Sequence, residues 1–371
     1  MPGIYLHIPF CDGKCPYCDF YSQAGSEPQK DHYTRCLSER VFAFSGKLGE
    51  SAPPAWQTVY FGGGTPNLLG AGRLASLLSA VRKSFPLEED AEITAEANPT
   101  QVGEAFFADL RKAGFNRLSM GLQSANEDEL RLLGRKHSAR DAAEAVRAAR
   151  AAGFTNLSLD LMLGLPGQTR EKLGASISFA AGLGVPHISS YILKIEEGTP
   201  FSRAGLSLPE DDEIADLYLF CVEKLARHGY AQYEISNFAR PGWESRHNLL
   251  YWHGEEYLGF GPGAHSFFGG RRFYWPRSLQ GFLDGEPPVD DGPGGGFEEY
   301  AMLALRLTEG LTRKACENRF PQGGALFDCV LKNIKKCPQG LLHADIDRIA
   351  LTPEGFLVSN ALILTLLEDI A

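Results

Sequence analysis

A repeat of about one strand and one helix organises this chain. Ala113-Gly114-Phe115 followed by Leu118-Ser119 recurs 39 residues later as Ala152-Gly153-Phe154 followed by Leu157-Ser158. A looser copy, Gly229-Tyr230, leads into Tyr233-Glu234-Ile235-Ser236. Each copy follows a helix-like stretch, such as 105–112 or 142–151, and precedes a short apolar run. Glycine after a helix with a strand close behind is the αβ loop of a parallel βα array, and a period near 39 suits one βα unit. Further strands are expected at 4–8, 58–61, 93–96 and 187–193, about seven βα units before residue 240. Polar residues end nearly every one of these strands, where barrel enzymes place their chemistry. The expected fold is therefore α/β, a partial (β/α) TIM-like barrel in preference to a flat doubly wound sheet.

The 371 residues suit one large domain and a small one. Residues 284–296 hold three prolines and five glycines and read as a linker. This divides the chain into a barrel over 1–283 and a small, mainly helical or winged-helix domain over 297–371. From Glu286 onward there are 8 basic and 13 acidic residues, net −5, and the whole chain carries −10. Such a charge repels phosphate backbones, so no nucleic-acid partner is expected. No uncharged apolar run reaches 18 residues, so no membrane span is expected, although peripheral membrane contact is left open. The start shows no basic, signal-like region, which points to the cytoplasm.

Three of the eight cysteines fall within eight positions, Cys11-Asp-Gly-Lys-Cys15-Pro-Tyr-Cys18, on the loop after the first strand. Three thiolates from one short loop can hold three corners of a [4Fe–4S] cubane and leave one iron open. A glutaredoxin-like dithiol would idle Cys11, and a zinc site would need a fourth ligand, for which only His32 and Cys36 lie near. The other five cysteines read as buried small hydrophobes. The second strand ends in Phe61-Gly62-Gly63-Gly64-Thr65-Pro66, neither GxGxxG nor GxxxxGK[ST].

CxxxCxxC after a first strand resembles the signature of the radical S-adenosylmethionine (SAM) family. In that family SAM chelates the open iron, and one electron from the cluster splits it to a 5′-deoxyadenosyl radical. The resemblance implies that the glycine stretch, including Gly63, Gly64 and Thr65, meets the SAM amino group. It implies that Glu96 of Glu-Ala-Asn-Pro binds the ribose. Gln123, Arg135 and Asp160 resemble further SAM-site residues, and Tyr5 and Tyr17 resemble tyrosines beside the cluster and SAM.

Within the family the chain is similar to the porphyrin-related branch, where two functions compete. Oxygen-independent coproporphyrinogen III oxidase, a dehydrogenase, acts on propionate side chains, whereas haem chaperones of the HemW type bind haem and pass it to acceptor proteins. The dehydrogenase has a fourth cysteine where this chain has Phe20, and a longer N-terminal arm before the first strand. His247-Asn248-Leu-Leu-Tyr251-Trp252 resembles the HNxxYW motif associated with haem. The resemblance implies three cofactors: a [4Fe–4S] cluster, SAM and haem. Haem contacts would come from His247, Asn248, Tyr251 and Trp252, with His253 and His265 as alternatives. His7 is expected to shape the cluster site, and the 259–265 loop to line the same cavity. The implied partner is a haem-acceptor protein, of which a respiratory-chain protein is one kind. An RNA-modifying methylase would want a basic face, and none is evident.

Overall fold

The computed structural model describes residues 1–49, 53–100, 102–368 and 370. Strands and helices alternate from the start: β1 (Gly3–Ile8), α1 (Glu27–Leu48), β2 (Trp56–Gly63), α2 (Ala71–Ser84), β3 (Leu87–Ala97), α3 (Glu104–Ala113), β4 (Arg117–Gln123) and α4 (Glu127–Leu132). The alternation continues through α5 (Ala139–Ala151), β5 (Asn156–Leu163), α6 (Arg170–Gly182), β6 (His187–Ile192) and α7 (Asp211–Arg227). β1 to β6 pair in chain order, all parallel. The repeat explains the joints. Gly114 (φ 106°) and Gly153 (φ 90°) close α3 and α5 in the left-handed region, where a side chain would be strained. Phe115 and Phe154 then turn inward and are fully buried.

The third, looser copy behaves differently. After Gly229 come β7 (Ala231–Gln232) and β8 (Asn237–Ala239), which run antiparallel, with β8 paired to β6. Tyr233–Ser236 is not a seventh parallel strand, because the Glu234 carboxylate accepts the Ser236 amide at 3.1 Å and holds the segment in a turn. The seventh parallel strand lies on the opposite edge. After α8 (Arg246–Trp252), β9 (Tyr257–Phe260) pairs parallel to β1. β10 (His265–Phe268), β11 (Arg271–Tyr274) and, after α9 (Leu279–Asp284), β12 (Val289–Pro293) extend that edge antiparallel. The Pro/Gly-rich segment 284–296 thus carries the terminal strand of the sheet, a place where proline is tolerated because one edge needs no amide donor.

The chain ends in α10 (Phe297–Ala304), β13 (Leu311–Thr312), α11 (Arg313–Arg319), α12 (Gly323–Asn333), β14 (Leu342–Ala344), β15 (Arg348–Leu351), α13 (Pro353–Leu357) and α14 (Ser359–Leu366). Three antiparallel strands in the order β13-β15-β14 beside these helices have the topology of a winged helix. Phe297, Tyr300, Leu305, Phe327 and Ile349 form a core of their own, while Phe356 and Leu362 join the main one.

Residue alternation decides what the large sheet encloses. Leu6, Val59, Ile93, Leu118, Leu159 and Ile188 bury themselves with helix residues such as Leu37, Leu77, Leu110 and Ile177. Each such side chain contributes about 1.5–3 kcal/mol on burial. The opposite face carries Tyr5, Tyr60, Glu96, Arg117, Ser119, Asp160, His187 and Ser189, whereas barrel interiors are ordinarily packed with branched apolar residues. Gly63, Glu96, Gln123, Asp160 and Tyr191, from five neighbouring strand ends, all line one cavity of about 400 Å³. A flat sheet would spread those ends over roughly 19 Å, so the sheet wraps around a polar interior. Among the described residues the outermost strands, β12 and β7, do not pair, and the wall stays open.

Candidate cluster and cofactor site

The cysteine loop is tied at its base. Phe10 bridges to Gln23, the Cys11 amide donates to the Gln23 carbonyl (3.0 Å), and the Gln23 amide donates to the Pro9 carbonyl (2.9 Å). A further bond, from the Cys18 amide to the Cys15 carbonyl at 3.1 Å, bends the chain between the last two cysteines. Cys11, Cys15 and Cys18 are free thiols, half-buried, and all line the cavity. Among the described residues no three His, Cys, Asp or Glu side chains gather closely enough to hold a single metal ion. Three thiols on one cavity wall suit a cubane, in which each thiolate has its own iron. Burial pushes the Cys18 thiol up, a cost that a cationic metal centre reverses. The Arg135 guanidinium donates toward the Cys15 sulfur at 3.5 Å.

The glycine turn after β2 is stitched onto that loop. Gly64 donates its amide to the Ile8 carbonyl (2.9 Å) and Thr65 to the Phe10 carbonyl (2.8 Å), while the Thr65 hydroxyl lies 3.3 Å from the Cys11 sulfur. A Cβ on Gly64 would stand 2.7 Å from both the Ile8 and the Phe10 carbonyl oxygen. One on Gly63, at φ 108°, would stand 2.4 Å from the His7 ring. Glycine is required here by close backbone packing as well as by any ligand. His7 itself is locked: its Nε2 donates to the Tyr21 carbonyl (2.8 Å), which leaves Nδ1 to accept the Tyr5 hydroxyl (3.0 Å).

Glu96, at the end of β3, accepts hydrogen bonds from the Tyr60 hydroxyl (2.8 Å) and the Gly63 amide (3.2 Å). Burial nevertheless raises its carboxyl to about 7, with the neighbouring Asp160 adding repulsion. Burial also raises Asp160, which accepts the Ser119 hydroxyl at 3.2 Å. Gln123 has φ 66°, the only positive value outside glycine among the described residues, and sits where β4 slips register against β5. That strain turns its side chain toward the cavity mouth and is the kind concentrated at functional sites. Arg135 is anchored by the Gly121 carbonyl (3.0 Å) and the Asn98 amide oxygen (3.2 Å). Tyr17 lines the cavity with one edge against Phe201. Tyr5 does not line it; its ring lies one layer below, stacked on Tyr60.

The comparisons agree with this geometry. Residues 5–180 match the model described as the Radical SAM superfamily. A "Heme chaperone HemW" of Escherichia coli is 40% identical, covering 97% of each chain. One of Mycobacterium tuberculosis is 39% identical over 98% of this chain and 94% of its own, and one of Bacillus subtilis is 36% identical over 97% of each. The chain belongs to the radical SAM superfamily, in its HemW branch. The superfamily's cofactors are SAM and a [4Fe–4S] cluster, and the three cysteines and the cavity above fit them. The solved coproporphyrinogen III oxidase of Escherichia coli shares the fold, with TM-score 0.83 at 23% identity over 98% of this chain and 90% of that one.

The HNxxYW segment lies at the other end of the strands. The amides of Arg246 and His247 donate to the Glu92 carboxylate at 3.1 and 3.0 Å, a charge well placed at the start of α8. His247 Nδ1 pairs with the Thr58 hydroxyl (2.7 Å), its Nε2 with the Tyr251 hydroxyl (2.8 Å), and its ring stacks on Tyr60. Thr58 lies five residues before Gly63 on β2, about 16 Å along the strand. His247 is 1% exposed, and burial, helped by the Arg117 charge, lowers it to about 3. In this fold His247 offers no free nitrogen to an iron; Asn248, Tyr251 and Trp252 are half-buried around it. α8 plugs the floor of the barrel.

Several cavity residues went unnoticed in the sequence. Ser119 and Tyr191 share the inward face of Glu96 and Asp160, so strand alternation could have found them. Asn98 and Lys136 could not be so inferred. Lys136 reaches the Asp12 carboxylate (2.9 Å) across 124 residues of sequence, a contact that only the fold creates.

Proposed function

We propose that this protein is a haem chaperone: it binds haem together with a SAM-ligated [4Fe–4S] cluster and delivers haem to an acceptor protein. The observation that carries this reading is full-length likeness to proteins named heme chaperone HemW. Phe20 supports it. This residue stands on the cavity wall, 64% exposed, at the position of the dehydrogenase's fourth cysteine. Cys11, Cys15 and Cys18 would hold the cluster, which would supply one-electron chemistry to SAM bound in the same cavity. The backbone of Gly63, Gly64 and Thr65 meets its amino group, Arg135 faces its carboxylate, Glu96 takes the ribose hydroxyls, and Gln123 and Asp160 complete the wall. Tyr17 screens the cluster, and Tyr5 positions His7 and Tyr60 beneath it. The barrel, the edge segment 284–296 and the C-terminal unit act as one carrier. No helix among the described residues is long and apolar enough to cross a membrane, and the free thiols suit a reducing compartment such as the cytoplasm.

The fold shared with coproporphyrinogen III oxidase keeps a dehydrogenase as the second reading. An anaerobic experiment separates the two. With the cluster reconstituted, coproporphyrinogen III, SAM and a reductant should yield no protoporphyrinogen, while haem added separately should bind saturably by absorbance. Robust conversion to protoporphyrinogen would overturn the chaperone.

A further inference from the structure

We propose that Arg117 is a positioning residue of the cofactor site: a buried cation beneath the cavity that holds Glu96 and Asp160 as the anionic pair facing SAM, itself a cation. The inference rests on the placement of SAM against Glu96 and Asp160 and deepens it.

Arg117 is 1% exposed, on the inward face of β4. It stands opposite Thr94 in register, and Ser119 is the next inward residue of its strand, about 7 Å further on. Ser119 is the middle of the acidic row. It is paired in register with Glu96 on β3, and its hydroxyl donates to Asp160 on β5 at 3.2 Å. Arg117 is therefore rooted one layer below both carboxylates.

A guanidinium is costly to bury, and a close, hydrogen-bonded acid ordinarily offsets that cost. Arg117 lacks one. Its ion-pair partner among the described residues is Glu92, 3.9 Å from Nε. Both Glu92 oxygens already accept amides from the start of α8. Among the described residues Nε has no hydrogen-bond partner, and neither has the buried Thr94 hydroxyl opposite.

The charge is thus left to act through a low-dielectric interior. Burial raises Glu96 to about 7 and raises Asp160 as well, and Arg117 pulls both back down. The other groups facing Glu96 are Asp160 and the phenols of Tyr5, Tyr60, Tyr191 and Tyr251. Those facing Arg117 are Glu92, Tyr60, Tyr233 and Asp160. His187 and His247 supply no second cation, because burial and the Arg117 charge itself hold both neutral. Arg135 also acts on Asp160, but it is anchored at the mouth by the Gly121 carbonyl and Asn98. Two acids brought together repel, so that one tends to keep its proton. A guanidinium beneath them relieves that repulsion before the cofactor arrives, at a depth that salt screens little.

The test is equilibrium binding of labelled SAM to the full-length, cluster-reconstituted protein from pH 6 to 9. Iron content and far-ultraviolet circular dichroism check folding. In Arg117→Met the midpoint of the affinity rise should move up by about one unit. SAM should then bind about fivefold more weakly at pH 7, yet within about twofold of wild type at pH 9. Arg117→Lys keeps a cation and should restore the wild-type midpoint; a shift as large as that of Arg117→Met would sink the role of charge. Arg117→Met leaves the Glu92 carboxylate without its partner. Arg117→Met combined with Glu92→Gln therefore serves where the single variant misfolds, and should show the same upward shift. An unmoved midpoint in the Met variants, or equal weakening at every pH, would make Arg117 merely structural and overturn this inference alone. Wild-type affinity that does not rise across the range would instead overturn the placement of SAM against Glu96 on which it rests.

Discussion

Glu96 shows how one carboxylate is tuned by its surroundings. Burial raises it to about 7 from an ordinary 4.5, against the pull of the Tyr60 hydroxyl, the Gly63 amide and the Arg117 charge. Tyr5, Tyr251 and Asp160 also face it. A raised carboxyl holds its proton more tightly in the folded state. Its contribution to stability is therefore full below about 4.5 and lost as pH rises through about 7. Ribose hydroxyls prefer the ionised form, so SAM binding should strengthen over the same rise. Tyr60→Phe removes one hydrogen bond to that form, about 0.5–1.5 kcal/mol. The pH midpoint of SAM affinity should then move up by roughly half to one unit. Equilibrium binding of labelled SAM from pH 6 to 9 checks this; an unmoved midpoint would mean that Tyr60 does not tune Glu96.

At the scale of elements, two loops meet with no room between them. The turn after β2 and the cysteine loop after β1 are joined by the Gly64 and Thr65 amides. Gly64→Ala places a methyl against two carbonyl oxygens that cannot move independently of β1. The turn should lift, and reconstituted iron and sulfide per chain should fall several-fold, while far-ultraviolet circular dichroism is retained because the helices are remote. Full cluster loading in this variant would contradict the packing argument. The same closeness explains why a glycine run matching no nucleotide motif is still needed here: its first task is contact between backbones.

The whole molecule is held across the barrel floor. Arg319, at the end of α11, donates to the carbonyl of His253 at 2.6 Å, to that of Gly254 and to the Glu255 carboxylate at 3.3 Å, and its guanidinium lies over Tyr300. The C-terminal unit thereby grips the residues that follow α8. Through His247 and Tyr60, α8 touches the Glu96 side of the cofactor cavity. Arg319→Ala should release this grip. Amide hydrogen exchange at 249–255 should quicken about tenfold, consistent with roughly 1.5–3 kcal/mol for hydrogen bonds to a charged group, less screening by solvent. Exchange in β3 and β4 should be unchanged, and uniform quickening would point to global destabilisation instead.

Local chemistry was legible in the sequence. Three cysteines in eight positions, a glycine turn after a strand and polar residues at strand ends are each visible within a few residues and line one cavity, because loop geometry and strand alternation act at that range. The strands β1 to β6 were equally readable from the repeat. What needed the tertiary structure was every feature built from distant segments. The seventh parallel strand, β9, joins β1 across some 250 residues, and the Gly229 copy of the repeat bends away because Glu234 captures its own turn. His247 reads as a ligand in a string of aromatic neighbours. Only the packing of α8 shows that both its nitrogens are taken, Nδ1 by the Thr58 hydroxyl of β2 and Nε2 by the Tyr251 hydroxyl. Hydrogen-bond partners of a buried side chain come from wherever the fold brings them, and no local pattern encodes that.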